Sequence, residues 1–87
     1  MLLSELTRYV PGARLVGADC EITQMEIDSR KAGPGTLFIC ISGVKVDRHD
    51  FAPQAEAAGA AALVVERLLE GITIPQVLVE DARAAWT

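Results

Sequence analysis

At 87 residues and 9.3 kDa the chain has room for one domain, which buries roughly 60–65% of its unfolded surface at this size. Hydrophobic residues make up 51% and charged residues 23%, which excludes a disordered acidic tail, and no run approaches the roughly 20 apolar residues of a membrane span. A net charge of −4 and a pI of about 4.8 leave no basic footprint for nucleic acid, and the opening Met1-Leu2-Leu3-Ser4-Glu5-Leu6 lacks the basic region of a secretory signal.

In chain order, Leu2, Leu3, Leu6 and Tyr9/Val10 recur at helical spacing, and Pro11-Gly12 stops that helix. Ala13–Val16 is a short strand closed by Gly17. Ile22–Ile27 is long enough for a second strand and ends at Asp28-Ser29-Arg30. After the turn Lys31–Gly35, the run Leu37-Phe38-Ile39-Cys40-Ile41 is continuously apolar, the pattern of a strand covered on both faces. Ser42–Asp50 reads as a polar loop. Asp50 is the expected N-cap of a helix that tolerates Pro53 in its first turn, shows Phe51, Ala52, Ala55 and Ala58 as an apolar face, and stops at Gly59. Ala62–Val65 and Gln76–Val79 are the fourth and fifth strands. Asp81–Thr87 begins another helix, so residues 1–80 are expected to form the domain and 81–87 to open a linker helix of a longer protein. The order is α-β-β-β-α-β-β-α. The central strand–helix–strand unit implies parallel pairing, and the class is α/β with a small mixed sheet of about five strands flanked by helices.

Chemistry-bearing residues are few. There is no GxxxxGK[ST] phosphate loop, no HExxH and no GxSxG, and the only histidine is His49. Cys20 and Cys40 lack metal-ligand spacing and read as two reduced thiols of a cytosolic protein. Asp28-Ser29-Arg30 lies where a strand ends, the place at which ligands collect in open α/β sheets, and Arg30 offers a fork suited to phosphate. Alternatively it is a turn, with Asp28 and Ser29 capping N–H groups and Arg30 solvated. Ser42–Asp50 joins a buried strand to a helix, so Lys45 and Arg48 could meet a phosphate; alternatively it is an ordinary connection of solvated charges. Without a cysteine, serine or second histidine beside it, His49 reads as structural, hydrogen-bonding near the helix start.

Together the two loops are more specific than either alone. Asp28-Ser29-Arg30, then Thr36–Ile41, then Gly43 and Val46-Asp47-Arg48-His49-Asp50-Phe51, then Ala55 and Gly59-Ala60-Ala61-Ala62 resemble the N-terminal domain of the Mur ligases of bacterial cell-wall synthesis. The pattern there is DSR, a glycine turn, LF(V/I), a glycine loop, D-G-H-x-F and an alanine-rich helix ending in G-A. The resemblance runs from Leu3 to Ala85. Arg48 replaces the glycine of D-G-H, and Val44-Lys45-Val46 replaces a stretch that is often more polar or aromatic.

The resemblance implies a cytoplasmic protein whose first domain holds the uridine diphosphate of UDP-N-acetylmuramoyl-dipeptide. Central and C-terminal domains, absent from these residues, would bind ATP with magnesium and bring the incoming amino acid. The parent would be an ATP-dependent amide ligase adding the third peptide residue, meso-diaminopimelate or L-lysine, and the 87 residues alone would be inactive. The alternative is the member that adds D-alanyl-D-alanine; Gly43–Asp47 lacks the acidic residue expected soon after the glycine there. A non-enzymatic interaction module using Ser42–Asp50 is a further alternative. Carried over residue by residue, the nucleotide contacts fall on Ile27, Ser29, Val44, Lys45 and Val46, with Arg30 and His49 ordering the loops. No residue here matches the catalytic, ATP or metal positions, and neither nucleic acid nor membrane is implied as a partner.

Overall fold

The third strand explains the architecture. In the computed structural model, which describes residues 1–41 and 47–83, β3 (Thr36–Ile39) and β4 (Ala62–Val65) are buried along their whole length. Leu37 and Ile39 point into one apolar cluster with Leu3, Leu6, Val10, Val64 and Val77. Phe38 and Cys40 point into a second cluster with Ala52, Ala55, Leu63 and Val65. A run without polar alternation thus means a strand packed on both faces, as the sequence suggests.

Among the described residues, five strands form one sheet in the order β1-β5-β4-β3-β2, with β1 at Arg14–Val16, β2 at Gln24–Glu26 and β5 at Gln76–Leu78. β2, β3, β4 and β5 are mutually parallel, and β1 runs antiparallel to β5. The chain therefore adds parallel strands in one direction across the sheet. Because parallel crossovers are right-handed, all three belong on one face. That face carries Ala32 of the first connection, helix α2 (Ala52–Ala57) of the second, and Leu69 and Ile72 of the third. The opposite face is left for helix α1 (Leu3–Tyr9), which presents Leu3 and Leu6, and for Ala82. The mixed α/β class holds.

Boundaries shift where side chains compete for the backbone. β2 is shorter than the expected Ile22–Ile27. At one end Ile22 pairs with Met1 through both of its backbone groups, and at the other the Glu26 carboxylate accepts from the N–H groups of Ile27 and Asp28. Asp50 does not cap the central helix. Asp47 is extended and accepts the His49 N–H at 3.0 Å, starting a 3-10 turn over Arg48–Phe51 that runs into α2. Asp50 lies inside that turn with its own N–H on the Asp47 carbonyl. The apolar face of α2 is also narrower than expected: Ala52 and Ala55 are fully buried, while Phe51 and Ala58 are exposed. Gly59 ends the helix as expected, at φ +101°. Gly35, at φ +80°, lies so close to the Thr23 hydroxyl that a Cβ there would collide with it. Asp81 accepts the Arg83 N–H, and Ala82 and Arg83 are helical, as the sequence suggests; residues 84–87, Trp86 among them, lie outside the described residues.

Both cysteines are free, and they lie on opposite faces of the sheet. Burial pushes the Cys40 thiol up to about 12, and burial followed by the charges of Asp19 and Glu21 raises Cys20 as well. Both depress thiolate reactivity. Native protein should therefore label slowly with iodoacetamide at Cys20 and not at Cys40, and both should label in denaturant. A native mass two hydrogens low, restored by reductant, would contradict this.

Candidate functional site

The parallel strands all end on one side of the domain, and a pocket of about 610 Å³ opens beyond the end of the edge strand β2. Ile27 and Asp28 continue the chain out of β2. Asp28 caps a 3-10 turn over Ser29–Lys31 by accepting the Arg30 N–H at 3.0 Å. The same carboxylate grips the Arg30 guanidinium at 3.0 Å on Nε and 2.9 Å on Nη2. The guanidinium bonds, then the Arg30 N–H, hold the Asp28 carboxyl down at about 2. Arg30 stands at the rim with its side chain 81% exposed.

Ser29 does not cap the turn; Asp28 occupies that role. Ser29 is instead 7% exposed, and its hydroxyl donates to Gln54 Oε1 of α2 at 3.3 Å. This contact docks the turn against the helix, so two segments distant in sequence share one wall. Arg48 also lines the pocket. Its N–H donates to the Ile41 carbonyl, and its Nε donates to the Ile27 carbonyl at 3.0 Å. Phe51 completes the lining with an aromatic ring and is 39% exposed. The pocket thus offers an apolar edge, a hydroxyl, an amide, an aromatic ring and two guanidinium groups. That set suits a ligand with a flat ring and anionic groups.

His49 is not part of this lining; it is buried and hydrogen-bonded, as expected. Nδ1 is 2.6 Å from Asp47 Oδ1, and Nε2 accepts the Glu66 N–H at 2.9 Å. That pair of partners assigns the proton to Nδ1. Arg67 adds a 2.9 Å ion pair to Asp47. The His49 N–H, then the His49 ring and Arg67, hold the Asp47 carboxyl down at about 2. Both imidazole nitrogens are engaged, so His49 ties the start of the 3-10 turn to the end of β4.

A family model described as "Mur ligase family, catalytic domain" matches residues 21–84, most of the chain. The chain belongs to the Mur ligase family. It is 46% identical over 84 residues to the UDP-N-acetylmuramoyl-tripeptide–D-alanyl-D-alanine ligase of Escherichia coli, covering 97% of this chain and 18% of that protein. It is 45% identical over 86 residues to the UDP-N-acetylmuramoyl-L-alanyl-D-glutamate–2,6-diaminopimelate ligase of Geobacillus kaustophilus, covering 98% of this chain and 17% of that one. Among solved structures, the UDP-N-acetylmuramoylalanyl-D-glutamyl-2,6-diaminopimelate–D-alanyl-D-alanyl ligase of Acinetobacter baumannii superposes with a TM-score of 0.73 at 29% identity. That likeness covers 95% of this chain and 18% of that one. The chain spans less than a fifth of each of these Mur ligases.

Of the residues that the Mur ligase pattern singles out, Ile27, Ser29 and Arg30 line the pocket, and His49 does not. Val44, Lys45 and Val46 lie outside the described residues. The pattern includes Phe51 as the last residue of D-G-H-x-F but assigns it no contact, and it does not include Gln54. Phe51 reads along the chain as part of an apolar helix face, and Gln54 carries no local signal at all. Arg48, in place of the motif glycine, is visible in the sequence as a possible phosphate partner, but its bond to Ile27 is not.

Proposed function

We propose that this chain is the substrate-anchoring N-terminal domain of a cytoplasmic, ATP-dependent amide ligase of peptidoglycan synthesis. Its pocket holds the uridine diphosphate of UDP-N-acetylmuramoyl-L-alanyl-D-glutamate, and the parent enzyme adds meso-diaminopimelate or L-lysine. The observation that carries this reading is the pocket itself, open at the strand ends and lined by Ile27, Ser29, Arg48, Phe51 and Gln54 in a chain of this family. Ile27 and Phe51 offer apolar and aromatic surface to the uracil and ribose, Ser29 and Gln54 offer hydrogen bonds, and guanidinium charge in the lining suits the diphosphate. ATP with magnesium would activate the substrate carboxylate as an acyl phosphate in a central domain beyond these residues. The present residues bind and orient the far end of the substrate, and alone they release no phosphate from ATP.

The relative at 45% identity supports the diaminopimelate-adding reading. The relative at 46% supports a second, in which the parent adds D-alanyl-D-alanine to the tripeptide. Both share the nucleotide, so one titration tests the common part. UDP added to the labelled 87-residue chain should shift the amide resonances of residues 27–30 and 48–54, with affinity on the order of millimolar. Ser29→Ala should weaken binding by about two- to tenfold, the loss of one hydrogen bond. Shifts absent from those residues, or scattered over the surface, would remove the nucleotide reading. The parent enzyme, offered diaminopimelate, L-lysine or D-alanyl-D-alanine with the matching muramoyl peptide, separates the two ligases by which substrate releases phosphate.

A further inference from the structure

Charge around the pocket is unequally compensated. Asp28 and Arg30 cancel within one bidentate pair. Arg48 has no such partner. Its Nε is bound to a neutral acceptor, the Ile27 carbonyl, and among the described residues its two Nη groups make no hydrogen bond and no carboxylate pairs with it. The side chain is half-buried rather than waving in solvent. A guanidinium anchored through Nε keeps a fixed fork of four remaining N–H donors, already oriented and only partly hydrated. Such a group binds a phosphate at lower entropic cost than a free surface arginine.

Resting on the nucleotide reading of this pocket, we infer that Arg48 is the residue that binds the diphosphate, and that it makes the site selective for nucleoside diphosphates over the bare nucleoside. Arg30, though its fork is the one suggested by the sequence, serves to hold the turn through Asp28. The Ile27 carbonyl is part of the same device. It fixes the guanidinium beside the residue whose side chain offers apolar surface to the base, so base and phosphate subsites are set at a constant separation.

The test is titration of uridine and UDP against the 87-residue chain, following the resonances of residues 27–30 and 48–54. The variants are Arg48→Gln, Arg48→Lys and, as a control for net charge, Arg14→Gln on strand β1 at the opposite edge of the sheet. Arg48→Gln should weaken UDP about ten- to a hundredfold, as for loss of a hydrogen bond to a charged group, and change uridine affinity by less than about twofold. Arg48→Lys should fall between, since it keeps the charge and loses the anchored fork. Arg14→Gln should match the wild type. If Arg48→Gln weakens uridine and UDP alike, the residue acts on the pocket's shape and the inference fails while the nucleotide reading stands. Equal losses in Arg48→Gln and Arg14→Gln would likewise overturn it, as would an undiminished response to UDP. If neither uridine nor UDP shifts the pocket resonances of the wild type, both the inference and the nucleotide reading fall.

Discussion

Phe38→Ala should destabilise the domain by about 3–5 kcal/mol, the usual cost of truncating a fully buried aromatic ring. Phe38 is 0% exposed and stands first among the largest fully buried side chains. It sits mid-strand in β3, between Glu26 of β2 and Leu63 of β4, beneath Ala52 and Ala55 of α2. Two alanines cannot fill the space a phenyl ring leaves. α2 has only six residues and no side-chain cap, so little besides this contact and its flanking turns fixes its position. At about 0.05–0.15 kcal/mol per residue, a domain of this length has only about 4–13 kcal/mol in total. The variant should therefore be partly unfolded in buffer, whereas Phe38→Leu, closer in volume, should lose less than about 2 kcal/mol. Urea denaturation followed by circular dichroism measures both. A loss below about 1 kcal/mol for the alanine variant would mean that α2 collapses onto β3 and refills the cavity.

His49→Ala should cost about 2–4 kcal/mol, because it leaves the Glu66 N–H without its acceptor and opens a hole where the buried imidazole stood. His49→Gln, which can keep one of the two partners, should recover part of that loss. The acid limb of stability tests the same knot. The folded Asp47 carboxyl is held down at about 2, below the ordinary 3.8 of an aspartate, so its contribution is complete above about pH 4 and lost as pH falls through 2. Asp28 titrates over the same window for its own reason, the Arg30 pair. Urea midpoints should hold level from pH 6 to about 4 and then fall. Asp47→Asn should start lower and flatten that decline, although Asp28 keeps some of it. A variant declining as steeply as the wild type would show that Asp47 contributes nothing through its charge.

The sheet was legible because its central strands leave no choice. Leu37–Ile41 and Ala62–Val65 have no polar position to turn outward, so both faces had to be covered, and the handedness of the crossovers then places the layers. His49 was legible too, as a lone histidine near a helix start with no catalytic partner beside it. What misled were local ambiguities. Asp47 and Asp50 are equally good caps as residue types, and the choice fell to Asp47 because a 3-10 turn intervenes before α2. Asp28 and Ser29 compete in the same way for the preceding turn, and the neighbouring Arg30 favours the carboxylate. The pocket's composition was the least legible part. Arg48 meets Ile27, and Gln54 meets Ser29, only because β2 pairs with β3 in register and α2 crosses back over the sheet. No local pattern records a contact that a register creates.

The strand order also dictates a timetable. Counted from β2, every strand pairs with the one made just before it, so most of the sheet can be laid down as the polypeptide lengthens. β1 is the exception. Arg14–Val16 is made first, yet among the described residues its strand partner is Gln76–Leu78 of β5, about 60 residues later. On a ribosome adding about 5–20 residues per second, this N-terminal segment must wait several seconds with an open hydrogen-bonding edge. Three residues, one of them the exposed Arg14, make that edge a poor template for stray pairing during the delay. β5 therefore captures β1 once it emerges and completes this five-stranded arrangement.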